Sequence, residues 1–148
     1  MAAPAGKQLA PALDESGLAR EELLQAFRNI YLSRAIDDRE IILKRQNRIY
    51  FQISAAGHEA IQTAAAMNLR PGYDWVFPYY RDRALCLWLG VTPEEMFLQA
   101  VGSAEDPASG GRQMPCHWSS PQLHIFTTSS CTGSRFLPAV GSAHASLL

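Results

Sequence analysis

"DWVFPYYRDRALCLWLGVTPEEMFLQAVGSAED", residues 74–106, carries the densest structural punctuation in the chain. Its aromatic and β-branched opening, "WVFPYY", reads as a short extended run. "RDRALCLWLG" then reads as a helix stopped by Gly90, which can take the left-handed conformation that ends helices. Thr92-Pro93-Glu94-Glu95 opens the next helix with a cap, a proline at the first position and acids in the first turn. An extended run feeding a helix is the unit of an α/β fold, and the junction at Tyr80-Arg81-Asp82-Arg83 falls where a helix start presents unpaired N–H groups and partial positive charge.

Working outward, Leu23, Leu24, Phe27, Ile30, Tyr31, Ile41 and Ile42 recur at helical spacing, which predicts one long helix from Leu18 to about Gln46. Asp14 or Ser16 is available as its cap, and Glu21 and Glu22 lie in its first turn. Arg34 with Asp38, and Glu40 with Lys44, are placed to pair along it at i,i+4 on a solvated or subunit-facing side. "RIYFQIS" (48–54) has the content of a short strand. Gly57 opens an Ala-rich segment, "HEAIQTAAAMNL", expected to form a closely packed helix, and Pro71-Gly72 supplies a turn. Residues 102–122 lack periodicity and are rich in Gly, Ser and Pro; a loop of this length in a compact domain is usually functional. "LHIFTT" predicts a brief buried strand. A loop, "SSCTGSR" (129–135), and a helix from near Phe136 follow.

The chain has 148 residues, 47% of them hydrophobic, enough for one domain with a core. Residues 1–17 read as a flexible, Pro/Ala-rich arm and residues 18–148 as the domain. A net charge of -1 gives no electrostatic reason to expect nucleic acid or an anionic membrane as partner. No stretch approaches the roughly 20 apolar residues of a membrane span, and the arm lacks the apolar core of a signal peptide. Cys86, Cys116 and Cys131 are odd in number and form no C-x-x-C pair, so they read as reduced thiols in a cytoplasmic protein.

Arg81 beside a helix start suits a phosphate, because a guanidinium can bind oxyanions through two N–H groups; the alternative is an Arg–Asp pair dressing the helix start. His117, in a Gly/Pro-rich loop after "GRQMP", can move protons near neutral pH or simply be exposed; Arg112 beside two glycines has the same ambiguity. Cys116, His117, His124 and Cys131 are all zinc-ligand types. The adjacency of the first two and the lack of a chelating gap speak against zinc. A Cys116–His117 nucleophile pair is disfavoured because sequence neighbours seldom form the oriented bond that activation needs.

Taken in order, "RAIDDREIILKRQNRIYFQISAAGHEA" (34–60), residues 74–106, "GRQMPCHW" (111–118) and "TTSSCTGSRFLPAVGSAHA" (127–145) resemble the α subunit of thiamine-diphosphate-dependent 2-oxo acid dehydrogenases, the E1 component. The closest likeness is to the branched-chain type. The resemblance implies the N-terminal part of a thiamine-diphosphate-binding α/β fold: a long first helix, then the start of a parallel sheet flanked by helices. It further implies an α₂β₂ heterotetramer or fused equivalent, with thiamine diphosphate and Mg²⁺ between α and β chains. The implied reaction is oxidative decarboxylation of a 2-oxo acid, with acyl transfer to the lipoyl group of an E2 partner. Carried over by position, Tyr80 and Arg81 meet the diphosphate, Ser130 and the Thr132 backbone lie near the aminopyrimidine, and His117 stands near the reacting centre.

Two departures qualify it. The family's Gly-Asp-Gly…Asn metal motif is absent from these residues, so the Mg²⁺ ligands are expected outside them and the chain alone is expected to be inactive. A non-catalytic assembly fragment of an E1 α subunit is the alternative. In branched-chain relatives the 129–135 loop binds potassium at the positions of Ser129, Cys131, Ser134 and Arg135, the last usually an amide. Ser134 offers an oxygen, but Arg135 has no acceptor and a permanent charge. The expectation is that Arg135 replaces the ion or leaves that site non-functional.

Overall fold

A computed structural model describes residues 17–148. Apart from Gly17, the predicted arm lies outside the described residues, as do the cap candidates Asp14 and Ser16. Five helices follow: α1 (Arg20–Arg45), α2 (Glu59–Ala66), α3 (Arg83–Leu89), α4 (Pro93–Ala100) and α5 (Phe136–Ala145). Their starts and stops follow the local chemistry. The Glu22 carboxylate accepts the Ala19 N–H at 2.8 Å, which satisfies one of the free donors at the start of α1. Gly90 ends α3 with φ +118°, and Thr92 and Glu95 cap α4 reciprocally.

Helices α1, α2 and α3 pack on one another. Beside them an apolar core gathers Ile36, Val76, Leu87, Leu89, Met96, Trp118 and Ile125. The face of α1 that turns inward is largely polar: Asn29, Ser33, Asp37 and Glu40 are buried with Ile36, at spacings of four and three residues. Leu24, Phe27, Tyr31 and Ile42, which carry much of the apolar periodicity, are exposed.

That inversion corrects both expected pairs on α1. Glu40 does not reach along its own helix to Lys44; its two oxygens accept Nη1 and Nη2 of Arg83 at 2.9 and 2.5 Å, with both side chains buried. Arg34 binds Glu59 at the start of α2 at 2.7 Å in place of Asp38. An i,i+4 pair on an exposed face is worth only a few tenths of a kcal/mol, so contacts between helices easily prevail. Asn29 bridges all three helices, donating to the Thr63 hydroxyl at 2.9 Å and the Ala84 carbonyl at 2.8 Å.

The predicted strand at 48–54 is also corrected: no strand forms there. Asp37 organises the segment, accepting from Gln52 Nε2 at 2.6 Å, Ser54 Oγ at 2.5 Å and the Ala55 N–H at 3.1 Å. These bonds hold it against a helix, leaving Ile49 buried and Tyr50 exposed. "WVFPYY" and "LHIFTT" meet at a single parallel bridge, Val76 with Ile125, and Ile125 also bridges antiparallel to Ser120. Among the described residues pairing goes no further than these bridges.

Burial of a charge pair is stabilising only while both partners remain. Glu40→Ala, which strands the Arg83 guanidinium in the core, is expected to cost about 3–5 kcal/mol in urea unfolding. Replacing both residues together by Leu and Met recovers most of that loss. A small effect of the single change would show that the pair is not the structural tie described.

Candidate functional site

The α2–α3 contact fixes the first wall of the site. Gln62 spans the start of α3: its Nε2 donates to the Arg81 carbonyl at 2.9 Å and to Asp82 Oδ1 at 3.2 Å, while its Oε1 accepts the Ala84 N–H at 3.1 Å. Asp82 in turn accepts the Tyr79 N–H at 2.7 Å. Burial raises the Asp82 carboxyl above its ordinary value, against the lowering effects of that amide and of Arg135. The junction segment 79–82 is thereby held from both sides, and Tyr80 and Arg81 face a cleft.

The second wall comes from the long loop. Gly111, at φ +72°, packs backbone to backbone on the 102–103 turn, where a Cβ would lie 2.8 Å from the Ser103 carbonyl oxygen. Cys116 adopts φ +65°, an uncommon conformation for a non-glycine residue. The chain reversal sends neighbouring side chains to different surroundings. Cys116 Sγ lies 3.4 Å from Arg83 Nη2 in the core, whereas His117 borders the cleft. The His117 carbonyl is held by Gln99 Nε2 at 2.9 Å, fixing the loop to α4.

His117 is buried yet fully engaged. Its Nδ1 lies 3.1 Å from the Pro115 carbonyl, which can only accept, so Nδ1 carries the proton. In the neutral ring Nε2 is then an acceptor, and it receives the Ser130 hydroxyl at 2.5 Å. The His117 and Tyr80 rings are stacked with centroids 6.2 Å apart. Tyr80, Arg81, His117 and Ser130 thus line one cleft of about 330 Å³, with Phe51, Ile53 and Met114 as its apolar side.

Charge concentrates at one end. The Tyr79 hydroxyl donates to that of Tyr80, and Arg81 Nη1 donates to Tyr79 at 3.1 Å. Tyr79 first, then Arg81, holds the Tyr80 phenol below its ordinary value. Arg81 makes no ion pair among the described residues. Its positive charge is therefore unmatched by a carboxylate there, and the Arg81–Asp82 pair that sequence left open does not form.

The other candidates separate. Thr132 and Cys131 are exposed outside the cleft. Ser129, Ser134 and Arg135 line a second cavity of about 110 Å³; Arg135 lies over the Tyr79 ring at 4.7 Å, and its Nη2 donates to the Ser129 carbonyl at 3.5 Å. His124 stacks on Trp75 with centroids 4.5 Å apart, and Arg112 Nε donates to the Ser109 carbonyl at 2.9 Å. Among the described residues no three His, Cys, Asp or Glu side chains gather as metal ligands. Sequence reasoning passed over Gln62 and Gln99, whose roles depend on partners 18 to 22 residues away. It also passed over Phe51, Ile53 and Met114, which no local pattern marks.

With this geometry in view, comparison with known proteins defines the class. Residues 27–147 match the model of the dehydrogenase E1 component family, and the chain belongs to that family. Among its relatives, the 2-oxoisovalerate dehydrogenase subunit alpha of Bacillus subtilis is 40% identical over 127 residues, covering 86% of this chain and 38% of that protein. The subunit of the same name from Pseudomonas aeruginosa is 33% identical over 131 residues, 88% of this chain and 32% of the relative. The mitochondrial 2-oxoisovalerate dehydrogenase subunit alpha 2 of Arabidopsis thaliana is 41% identical over 101 residues, 68% and 21% respectively. The chain thus spans less than two fifths of the length of these relatives.

Burial makes the thiols unequal. Desolvation pushes the Cys116 thiol up to about 12 and raises Cys86 well above its ordinary value, while Cys131 is exposed. Alkylation of the folded chain at pH 8 is expected to modify Cys131 alone. Because the folded values of Cys86 and Cys116 exceed the unfolded thiol value of about 8.5, their stabilising share is intact below that pH and is lost as pH rises towards 12. Rapid labelling of Cys116 without unfolding would contradict the structure.

Proposed function

We propose that this chain supplies the α-side cofactor cleft of a 2-oxo acid dehydrogenase E1 component, acting on a branched-chain 2-oxo acid as the names of its relatives suggest. The observation that carries the reading is the convergence of Tyr80, Arg81, His117 and Ser130 on one cleft. An arginine free of carboxylate partners beside hydroxyl donors fits a diphosphate, and an apolar side opposite fits a heterocycle and acyl chain. Thiamine diphosphate, when bound, supplies the nucleophilic carbon and the electron sink for decarboxylation.

The chain's own residues then have distinct tasks. Arg81 and Tyr80 hold the diphosphate end. Ser130 borders the pyrimidine end. His117 Nε2 is the atom able to accept or return a proton, its tautomer set by the Pro115 carbonyl. Phe51 and Met114 limit water in the cleft. Arg135 supplies positive charge at the Ser129 carbonyl where branched-chain relatives use potassium. Mg²⁺ is assigned to ligands outside these residues, since the 148 residues contain no Gly-Asp-Gly.

The Val76–Ile125 bridge supports the beginning of a parallel sheet. Exposed Leu24, Phe27 and Tyr31 on α1, and Phe136, Leu137 and Val140 on α5, support cover by an E1 β chain or fused domain. The E2 lipoyl group is then the acyl acceptor, and the free thiols support a reducing compartment, taken to be the cytoplasm.

The test is co-expression of the full reading frame with an E1 β chain, followed by decarboxylation assays across several 2-oxo acids. Thiamine-dependent turnover of a branched-chain acid is expected, without a potassium requirement, and His117→Ala is expected to lower kcat by about 100-fold or more. Strict potassium dependence would overturn the role given to Arg135. A well-folded, cofactor-loaded complex without turnover would favour the assembly-module reading.

A further inference from the structure

Helix α1 turns two faces to different tasks. Asn29, Ser33, Ile36, Asp37 and Glu40 are buried on its inner side, where α2 and α3 pack. Opposite them a seam runs the length of the helix at positions 21, 24, 28, 31, 35, 38, 42 and 45. Its steps of three and four residues alternate, as on a helix that packs along another helix. All eight side chains are exposed, the larger apolar ones substantially: Leu24 at 44%, Tyr31 at 67% and Ile42 at 41%. Among the described residues Glu21, Arg28, Asp38 and Arg45 form no ion pair. The Asp38 charge does act on Arg34, whose bonded partner is Glu59.

We infer that this seam docks a second copy of the chain, with the two α1 helices antiparallel across a two-fold axis. Reversed about position 33, the seam is its own complement. Position 21 then faces 45 and position 28 faces 38, so Glu21 meets Arg45 and Arg28 meets Asp38, each pair occurring twice by symmetry. Between these charged layers Leu24 faces Ile42 and Tyr31 faces Ala35. A parallel copy would set each of the four charged residues against its own kind, which charge repulsion disfavours. Arg34, flanking the seam near the axis, brings a charge already matched by Glu59. Apolar exposure on α1 would suit a β chain as well, but this order of charges suits a reversed copy of the same helix; α5 then remains the β-facing surface. The inference rests on α1 alone and does not depend on the cofactor cleft.

The test is analytical ultracentrifugation of the purified chain and of two variants, Arg28→Asp and Asp38→Arg. The native chain is expected to form a concentration-dependent dimer that salt loosens. Each variant places two like-charge contacts in one interface and should self-associate about 100-fold more weakly. Mixed in equal amounts, the two variants should pair with each other, because every like-charge contact becomes an opposite-charge one in the mixed dimer. A merely misfolded variant would not be rescued by mixing. A second measurement leaves the charges alone and uses the full reading frame co-expressed with an E1 β chain, with Cys131→Ser to remove the exposed thiol. There Leu24→Cys and Ile42→Cys together should give an α–α disulfide on mild oxidation, and Leu24→Cys by itself none. A native chain that stays monomeric at every concentration, variants that fail to pair when mixed, or a complex whose β chain covers α1 and leaves the two cysteines unlinked would each overturn the inference.

Discussion

The buried pair between Glu40 of α1 and Arg83 of α3 is the constraint on which the rest of the described structure depends. Two charges taken from water are tolerable only in close, doubly bonded geometry, so the pair fixes where the two helices stand relative to each other. Burial works against the Arg83 charge, but the Glu40 carboxylate lifts the guanidinium above its usual value and keeps it ionised. Around it, Asp37 fastens the 52–55 segment and Cys116 anchors the long loop from within. Phe51 and Ile53 on one side and His117 on the other are thus carried on segments tied to the same cluster. A shift of that pair would displace several walls of the cleft together.

This arrangement separates stability from chemistry. The buried polar groups Asn29, Asp37, Glu40, Gln62 and Arg83 have structural partners. Arg81 retains a charge unmatched by a carboxylate, and His117 a defined acceptor. Neighbours in sequence therefore have different tasks: Arg81 faces the cleft while Arg83, two residues on, is sealed in the core. The same division appears at Cys116 and His117, where the left-handed backbone at Cys116 parts the two side chains.

Sequence alone made the local features legible, because their causes are local. Gly90 stops α3, Thr92-Pro93-Glu94-Glu95 starts α4, and the helix from Phe136 begins at its expected place. Tyr80, Arg81, His117 and Ser130, which the family resemblance singles out by position, line one cleft. What sequence misread is the long-range part. The charges of α1 resemble a solvated face because nothing local reveals that Arg83, 43 residues away, will meet Glu40. "RIYFQIS" carries strand-forming side chains, yet the Asp37 carboxylate takes up its polar groups, and β-propensity without a pairing partner forms no strand.

The account's central claim is that Arg81 and His117 serve one anionic, heterocyclic ligand from a single cleft. The most direct measurement is NMR of the α chain reconstituted with an E1 β chain and labelled at arginine and histidine side chains, titrated with thiamine diphosphate. The Arg81 and His117 signals are predicted to shift together and saturate at the same concentration, with Arg83 unmoved. Saturable binding that leaves both signals unchanged would contradict the assignment of this cleft.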